Sequence, residues 1–217
     1  MAHPYWPLFD LEIRFEELTL RYPDDDTLLK MVALAAEGIH DDDEMPFSVP
    51  WTRGETPDLE CNALRFHWRT RADASPESIR IPLAVFRDDE LVGASDLIAD
   101  DFATLRQFET GSWLGRRFQG RGIGTKMRRA TLCLGFDGLG AEWASTAAWE
   151  DNPASLGVTR SLGYQRQGTR RANREGHSTN LVGYEMHRSH FDAIRPDSIT
   201  MNGIDGVCEF LGVEPPQ

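Results

Sequence analysis

The stretch WLGRRFQGRGIGTKMRR, residues 113–129, decides how this chain is interpreted. It places glycine at three alternate positions, Gly120, Gly122 and Gly124, and surrounds them with arginine and lysine, although the whole chain has a formal net charge of -12 at pH 7. Glycine lets backbone approach a ligand closely, and clustered positive charge attracts anions. The stretch therefore predicts an anion-binding turn, with surface charge scattered at random as the alternative.

The elements predicted on either side of this turn favour a phosphate. The residues before it, 106–114, are typical of a strand, and those from 122 to 139 of a helix with a buried stripe of Ile123, Met127, Ala130 and Leu134. The first turn of a helix carries unpaired N–H groups and a partial positive charge, which together make a phosphate cradle. A tight turn that only caps the helix is the alternative without a ligand.

The glycine spacing separates three kinds of phosphate ligand. A dinucleotide fold requires G-x-G-x-x-G and a nucleotide P-loop requires G-x-x-x-x-G-K-[ST], and neither fits a run of alternating glycines. The pattern Q/R-x-x-G-x-G/A fits residues 119–124. This turn resembles the coenzyme A pyrophosphate signature of the GNAT superfamily of acyl-CoA N-acyltransferases.

Two further segments extend the resemblance over residues 11–188. ETGSWL, residues 109–114, resembles the fourth strand of that superfamily in the E-I-G-Y-W-L form of its ribosomal-protein N-terminal acetyltransferase branch. NPASLGVTRSLGY, residues 152–164, resembles the N-x-x-S…L-G-F element of the same branch. Within the branch, MPFSVPW, residues 45–51, is similar to an actinobacterial subgroup described as binding succinyl-CoA.

The resemblance implies that the pantetheine arm of an acyl-CoA co-substrate, succinyl-CoA or acetyl-CoA, fills a gap where the fourth and fifth strands separate. It assigns coenzyme binding to Trp113, Leu114, Gln119, Gly120, Arg121, Gly122, Ile123, Gly124, Thr125, Asn152 and Ser155. Arg116 and Arg117 are further candidates for phosphate contacts. For the Trp113 side chain core packing is the preferred explanation, and its backbone can bind the coenzyme in either case; Asn152 also fits a helix N-cap, which is compatible with coenzyme binding.

The implied reaction is direct attack of a primary amine on the acyl thioester. Glu109 matches the glutamate of the family's fourth strand and is the candidate base or water-holding group; a solvated glutamate at the strand edge is the alternative. Ser155 is the candidate donor of a proton to the leaving thiolate, against a serine that only begins a helix. A coenzyme A-binding sensor without turnover is the alternative function.

Composition excludes other classes of partner and cofactor. A sequence pI near 4.9 argues against nucleic acid, and no apolar run is long enough to span a bilayer. Cys61, Cys133 and Cys208 form no Cys-x-x-Cys pair, and no histidine pair has metal-site spacing, so no metal is expected. The N-terminus lacks a signal-peptide pattern. We therefore expect a cytoplasmic protein whose acceptor is a small amine, a protein N-terminus or a lysine. The family resemblance also makes a homo-oligomer an expectation.

The predicted architecture is one α/β domain over residues 1–217, with a core at 11–188 and an extension at 189–217. Strands are predicted in 11–22, 79–86, 91–99, 106–114 and 142–149 and in a closing hairpin between 164 and 188; helices in 27–38, 56–73, 122–139 and 152–163. The segment 198–206 predicts one small strand more. The resemblance implies about seven mostly antiparallel strands, flanked by helices on both faces and opened at the fourth and fifth.

Overall fold

A computed structural model describes residues 3–214, and in this range nine strands form one sheet. The strands are β1 (Glu12–Phe15), β2 (Leu18–Arg21), β3 (Ser78–Arg87), β4 (Glu90–Asp100), β5 (Gln107–Leu114), β6 (Trp143–Trp149), β7 (Gln165–Arg174), β8 (His177–His187) and β9 (Thr200–Asn202). Their order is β7-β8-β6-β5-β4-β3-β2-β1-β9. Every neighbouring pair is antiparallel except β5 and β6, which are parallel. The mostly antiparallel, helix-flanked α/β sheet is therefore confirmed.

Helices cover both faces of this sheet. They are α1 (Asp25–Ala36), α2 (Asp58–Ala72), α3 (Phe102–Leu105), α4 (Ile123–Cys133), α5 (Pro153–Ser161), α6 (Arg188–Phe191) and α7 (Ile204–Phe210). On one face α1 packs against α2 and against β4; on the other α4 packs against β5 and α5. Among the described residues, no helix is both long and apolar enough to cross a membrane.

The sheet has nine strands where about seven were predicted. The segment 11–22 is a hairpin rather than one strand, because Glu16 adopts a left-handed backbone (φ 53°) that turns the chain between β1 and β2. The other added strand is β9, which pairs with β1 at the edge of the sheet and confirms the small strand expected in 198–206. The predicted C-terminal extension, described as far as residue 214, thus contributes a strand to the sheet.

Helix α4 carries the apolar stripe that the sequence predicted. Ile123, Met127 and Ala130 are buried in the main core. The helix ends as a π-helical turn over Leu134–Gly138. In this turn a Cβ on Gly135 would lie 2.2 Å from the Phe108 ring of β5, so glycine lets the turn approach the sheet and fixes the position of α4 beside β5.

Candidate active site

The site is built where β5 and β6 separate. The two parallel strands are paired only over Gln107–Glu109 and Trp143–Ser145. Beyond them β5 runs on to Leu114 and β6 to Trp149, each still paired with its outer neighbour. Residues 110–114 of β5 therefore do not pair with residues 146–149 of β6. This is the opening that the sequence resemblance implied at the fourth and fifth predicted strands.

A buried arginine from α4 bridges the opening. Arg128 is 4% exposed, and its guanidinium donates to the Ser112 hydroxyl of β5 at 2.9 Å and to the Thr146 hydroxyl of β6 at 3.3 Å. Its Nε is buried without a hydrogen-bond partner among the described residues. A buried charge is costly unless it is paired, so this side chain is the most unusual polar group in the site.

The glycine-rich turn lies at the far end of the opening, directly after β5. Gly120 and Gly122 have φ values of 71° and 78°, and a Cβ on either would meet no protein atom within 4 Å. Gly122 is the N-cap of α4 and supplies no side-chain cap hydrogen bond. Because the first N–H groups of a helix lack partners within the helix, the turn presents them to open space and has the form of an anion cradle.

The basic side chains beside the turn divide into two groups. Arg116 forms an ion pair with Asp41 at 3.0 Å, and Arg117 pairs with Glu37 and with Glu90 at 3.5 Å. These two arginines hold the segment after α1 against the turn. Arg121 is exposed and takes part in no ion pair between described residues, so it is the arginine best placed to meet a ligand phosphate.

The Gln119 side chain stabilises the turn rather than facing a ligand. Its amide donates to the carbonyl of Ile39 at 2.6 Å and to the carbonyl of Leu114 at 2.9 Å. The glutamine thus ties the end of β5 to the segment after α1. Its backbone N–H donates to the Arg116 carbonyl at 3.2 Å, so the donors of this residue all bond within the protein and its role in coenzyme binding stays a prediction.

Aromatic side chains close one side of the opening. Trp113 of β5 is half-buried, packs against the core and lies 6.0 Å from the Trp51 ring, centroid to centroid. Trp51 in turn contacts Phe47 at 5.2 Å, and the Phe47 carbonyl accepts a hydrogen bond from the indole of Trp149 on β6. The MPFSVPW loop therefore spans the separated ends of β5 and β6.

Asn152 and Ser155 lie at the N-terminus of α5, next to the cradle. The Asn152 side chain accepts a hydrogen bond from the Ser155 N–H at 3.0 Å, so it is the helix N-cap. The Ser155 hydroxyl is half-buried, and only backbone atoms of this residue bond to other described residues. Helix α5 also approaches α4 closely, because Val158 would lie 3.4 Å from a Cβ on Gly124. Helix α5, which carries Ser155, thus packs beside the start of α4, where the glycine turn lies.

Glu109 lies on the other face of the sheet, which α1 and α2 partly cover. Its side chain is exposed, yet desolvation by its surroundings raises the pKa of its carboxyl, while the charges of Arg170 and Arg128 oppose the rise. A raised carboxyl pKa suits a base near neutral pH. The structure places Glu109 beside the closed end of the opening.

A second carboxylate on this face was missed by the sequence reasoning. Asp96 of β4 lies directly opposite Gly111 of β5, and burial raises the pKa of its carboxyl to about 7 against the lowering effect of Arg128. The available signal was a lone aspartate inside the apolar strand LVGASDLIA, but its neighbour across the sheet could not be known from β4 alone. In the described residues, no group of three or more His, Cys, Asp or Glu side chains could hold a metal ion.

A sequence model of the acetyltransferase (GNAT) domain matches residues 17–165, more than half of the chain and all of the elements that form the site. The chain belongs to the GNAT acetyltransferase family. Acyl transfer from coenzyme A is the chemistry of that family.

Solved structures share the fold at low identity. A putative acetyltransferase from T. thermophilus is 20% identical, with a TM-score of 0.66 over 85% of this chain and 93% of that chain. RimL, a ribosomal L7/L12 alpha-N-protein acetyltransferase in complex with coenzyme A, is 17% identical, with a TM-score of 0.63 over 80% and 95%. A putative ribosomal-protein-serine acetyltransferase from Vibrio cholerae is 18% identical, with 0.61 over 81% and 97%.

We predict that Gly122→Trp weakens coenzyme A binding by about tenfold or more, or about 1.4 kcal/mol. An indole would occupy the space in front of the helix N-terminus and would strain a left-handed position. Isothermal titration with coenzyme A measures the effect. Gly176→Trp is the matched control, since Gly176 (φ 86°) is equally open but lies in the β7–β8 turn. Equal affinity of the two variants would contradict the placement of the cradle.

We predict that Asp96→Asn stabilises the protein at pH 8 more than at pH 5. The folded-state pKa of about 7 exceeds the ordinary value of 3.8, so folding binds a proton between these values and stability falls as pH rises towards 7. Asparagine removes this loss. Urea unfolding at both pH values measures it, with Asp89→Asn in the exposed β3–β4 turn as the control. A pH-independent difference would show that the Asp96 carboxyl is not perturbed.

Proposed function

We propose that the protein is an N-acyltransferase that transfers an acyl group from acyl-CoA to a primary amine. The observation that carries the proposal is the open, left-handed glycine turn that leads directly into the gap between β5 and β6. The pyrophosphate would sit on the first N–H groups of α4, with Arg121 and the Thr125 hydroxyl beside it. Pantetheine would follow the edge of β5 that faces the gap, at Trp113 and Leu114.

The proposed chemistry uses groups at the two ends of the gap. The amine attacks the thioester carbon, and unpaired N–H groups of β5 stabilise the oxyanion. Ser155 has a hydroxyl that other described residues leave free, and it supplies a proton to the leaving thiolate. Glu109, with its raised pKa, holds a water on the acceptor side. The expected cytoplasmic location and homo-oligomer belong to the same proposal.

The buried guanidinium of Arg128 favours succinyl-CoA over acetyl-CoA as the donor. It lies where the gap closes, bonded to Ser112 and Thr146, and its Nε has no partner among the described residues. A buried cation is stabilised by an anionic partner. The distal carboxylate of a succinyl group, extended beyond the thioester towards the closed end, would provide that partner by direct contact, whereas an acetyl group would leave Arg128 with only the longer-range charges of Asp96 and Glu109.

We predict that Arg128→Met lowers kcat/KM for succinyl-CoA relative to acetyl-CoA by about 10- to 100-fold, since a hydrogen bond to a charged group contributes about 1.5–3 kcal/mol. Methionine keeps most of the volume and removes the charge. The ratio of the two donors, measured by thiol release, is insensitive to a uniform loss of folded protein. An unchanged ratio would rule out a contact between Arg128 and the distal carboxylate.

We predict that Ser155→Ala lowers kcat by about 10²-fold and leaves the affinity for coenzyme A nearly unchanged. The substitution removes the proton donor and retains the Ser155 N–H that caps α5. Ser161→Ala, at the other end of the same helix, is the control. Wild-type kcat in the Ser155 variant would refute the acid role. Tight coenzyme A binding by the wild-type protein without thiol release from any amine would instead favour a sensor.

A further inference from the structure

The sheet face under α1 and α2 forms a regular grid around Asp96. Strand register sets Pro82 of β3 and Gly111 of β5 on either side of it. One adjoining row across the three strands consists of Arg80, Ile98 and Glu109. The other consists of Ala84, Ala94 and Trp113. Helix α1 covers the second of these rows through Leu28 and Met31, which pack against Ala84 and Ala94. Asp96 lies at the margin of that cover.

The Asp96 carboxylate is aimed at the strand that borders the gap. Its Oδ2 lies 3.6 Å from the position that a Cβ on Gly111 would occupy. Any larger residue at position 111 would place atoms between the carboxylate and β5, so glycine keeps the surface of β5 accessible from Asp96. The carboxylate is thus the acidic group that directly overlies the reactive strand on the acceptor side.

The charged groups around Asp96 leave it without an ion-pair partner. Arg128 from α4 is the cation that acts on it. Arg80 from β3 is occupied by Asp100 at 2.6 Å and by the carbonyls of Ile79 and Ala99. Glu109 from β5 is acidic. From α2, the cleft-facing Phe66 and Thr70 are uncharged. A cationic ligand would therefore meet a carboxylate that no described side chain neutralises by direct contact.

A small apolar cleft leads to this carboxylate. It has a volume of about 120 Å³ and is lined by Phe66 and Thr70 of α2, by Arg80 and Pro82 of β3 and by Ile98 and Asp96 of β4. An engineered cavity of about 150 Å³ in another protein holds a benzene molecule, so the cleft accepts a group of about that size. Phe66 is 58% exposed, which makes one wall reachable from solvent.

We propose that this cleft is the acceptor site, that its ligand is a primary amine attached to an apolar group, and that Asp96 binds the ammonium and removes its proton. The inference rests on the acyltransferase function proposed above. The apolar group would lie between Phe66 and Ile98, and the nitrogen would lie between the Asp96 carboxylate and β5. The amine could belong to a small molecule or to a peptide N-terminus, since both present the same chemistry.

The proposed reaction balances in protons and electrons. The ammonium gives one proton to the Asp96 carboxylate, and the freed nitrogen lone pair forms the new C–N bond as the carbonyl electrons move to oxygen. Collapse of the tetrahedral intermediate breaks the C–S bond. A second nitrogen proton reaches the thiolate, through the Ser155 hydroxyl, to give the amide and free coenzyme A. Asp96 then releases its proton to solvent.

We predict that Asp96→Asn lowers kcat/KM for the amine by about 10²-fold at pH 7 and changes its pH profile. In the wild type, kcat/KM rises through pH about 7, the pKa of Asp96, and then levels off because the ammonium form binds. In the variant it keeps rising towards the pKa of the amine itself. Glu109→Gln should keep the midpoint near 7, and Asp89→Asn should keep both the rate and the midpoint.

The amine class is tested with Phe66→Ala and three acceptors: methylamine, 2-phenylethylamine and a short peptide that begins with phenylalanine. The wild type should prefer one of the two apolar amines to methylamine, and the preferred one identifies the source. The substitution should raise KM for that amine and leave methylamine unaffected. Equal KM values for all three acceptors, or no effect of the substitution on their ranking, would overturn the assignment of the cleft.

Coenzyme A titration separates failure of this inference from failure of the proposed function. If the wild type does not bind coenzyme A, the acyltransferase proposal itself is wrong. If Asp96→Asn binds coenzyme A as the wild type does and also keeps its kcat/KM and pH midpoint, only the role of Asp96 is overturned. Coenzyme A binding without turnover of any of the three amines overturns the acceptor site and leaves the cradle in place.

Discussion

The separation of β5 from β6 is the constraint on which the site depends. Two parallel strands that pair over three residues and then diverge leave backbone donors and acceptors unpaired, and such groups are costly when buried. The Thr146 hydroxyl offsets part of that cost by donating to the Thr110 carbonyl at 3.1 Å, and Arg128 links the two strands through the hydroxyls of Ser112 and Thr146. Side chains therefore hold the strands in a geometry that a continuous ladder would close, and the gap is available for pantetheine.

The parts of this arrangement set by local sequence were predictable. The alternating glycines before an amphipathic helix define the cradle whatever surrounds them, because the left-handed conformation that Gly120 and Gly122 adopt and the helix N-terminus are local features of the chain. The strand before the turn and the Asn152 cap of α5 are local in the same sense. The coenzyme end of the site was predicted from residues 109–125 and 152–155, and the family model matches a range, residues 17–165, that contains them; the roles of the individual residues stay predictions.

The acceptor end of the site depends on the register between neighbouring strands, which cannot be deduced from the sequence of one strand. Asp96 gains its raised pKa from burial and its access to β5 from Gly111, fifteen residues further along the chain and on the neighbouring strand. Arg128 lies in the basic run that suggested an anion, yet it points into the core rather than towards the cradle. The hairpin of β1 and β2 was missed for a related reason, since Glu16 gave no sign of its left-handed turn.

Arg128 and Asp96 also connect the two halves of the proposed reaction. The positive charge of Arg128 lowers the pKa of the Asp96 carboxyl, which burial has raised. A donor carboxylate bound to Arg128 would cancel part of that charge, so the pKa of Asp96 would rise further and the carboxylate would become a stronger base. A neutral acyl group would leave it unchanged. Through this coupling, the charge of the acyl group would determine how readily the acceptor amine loses its proton, although the two substrates approach from opposite faces of the sheet.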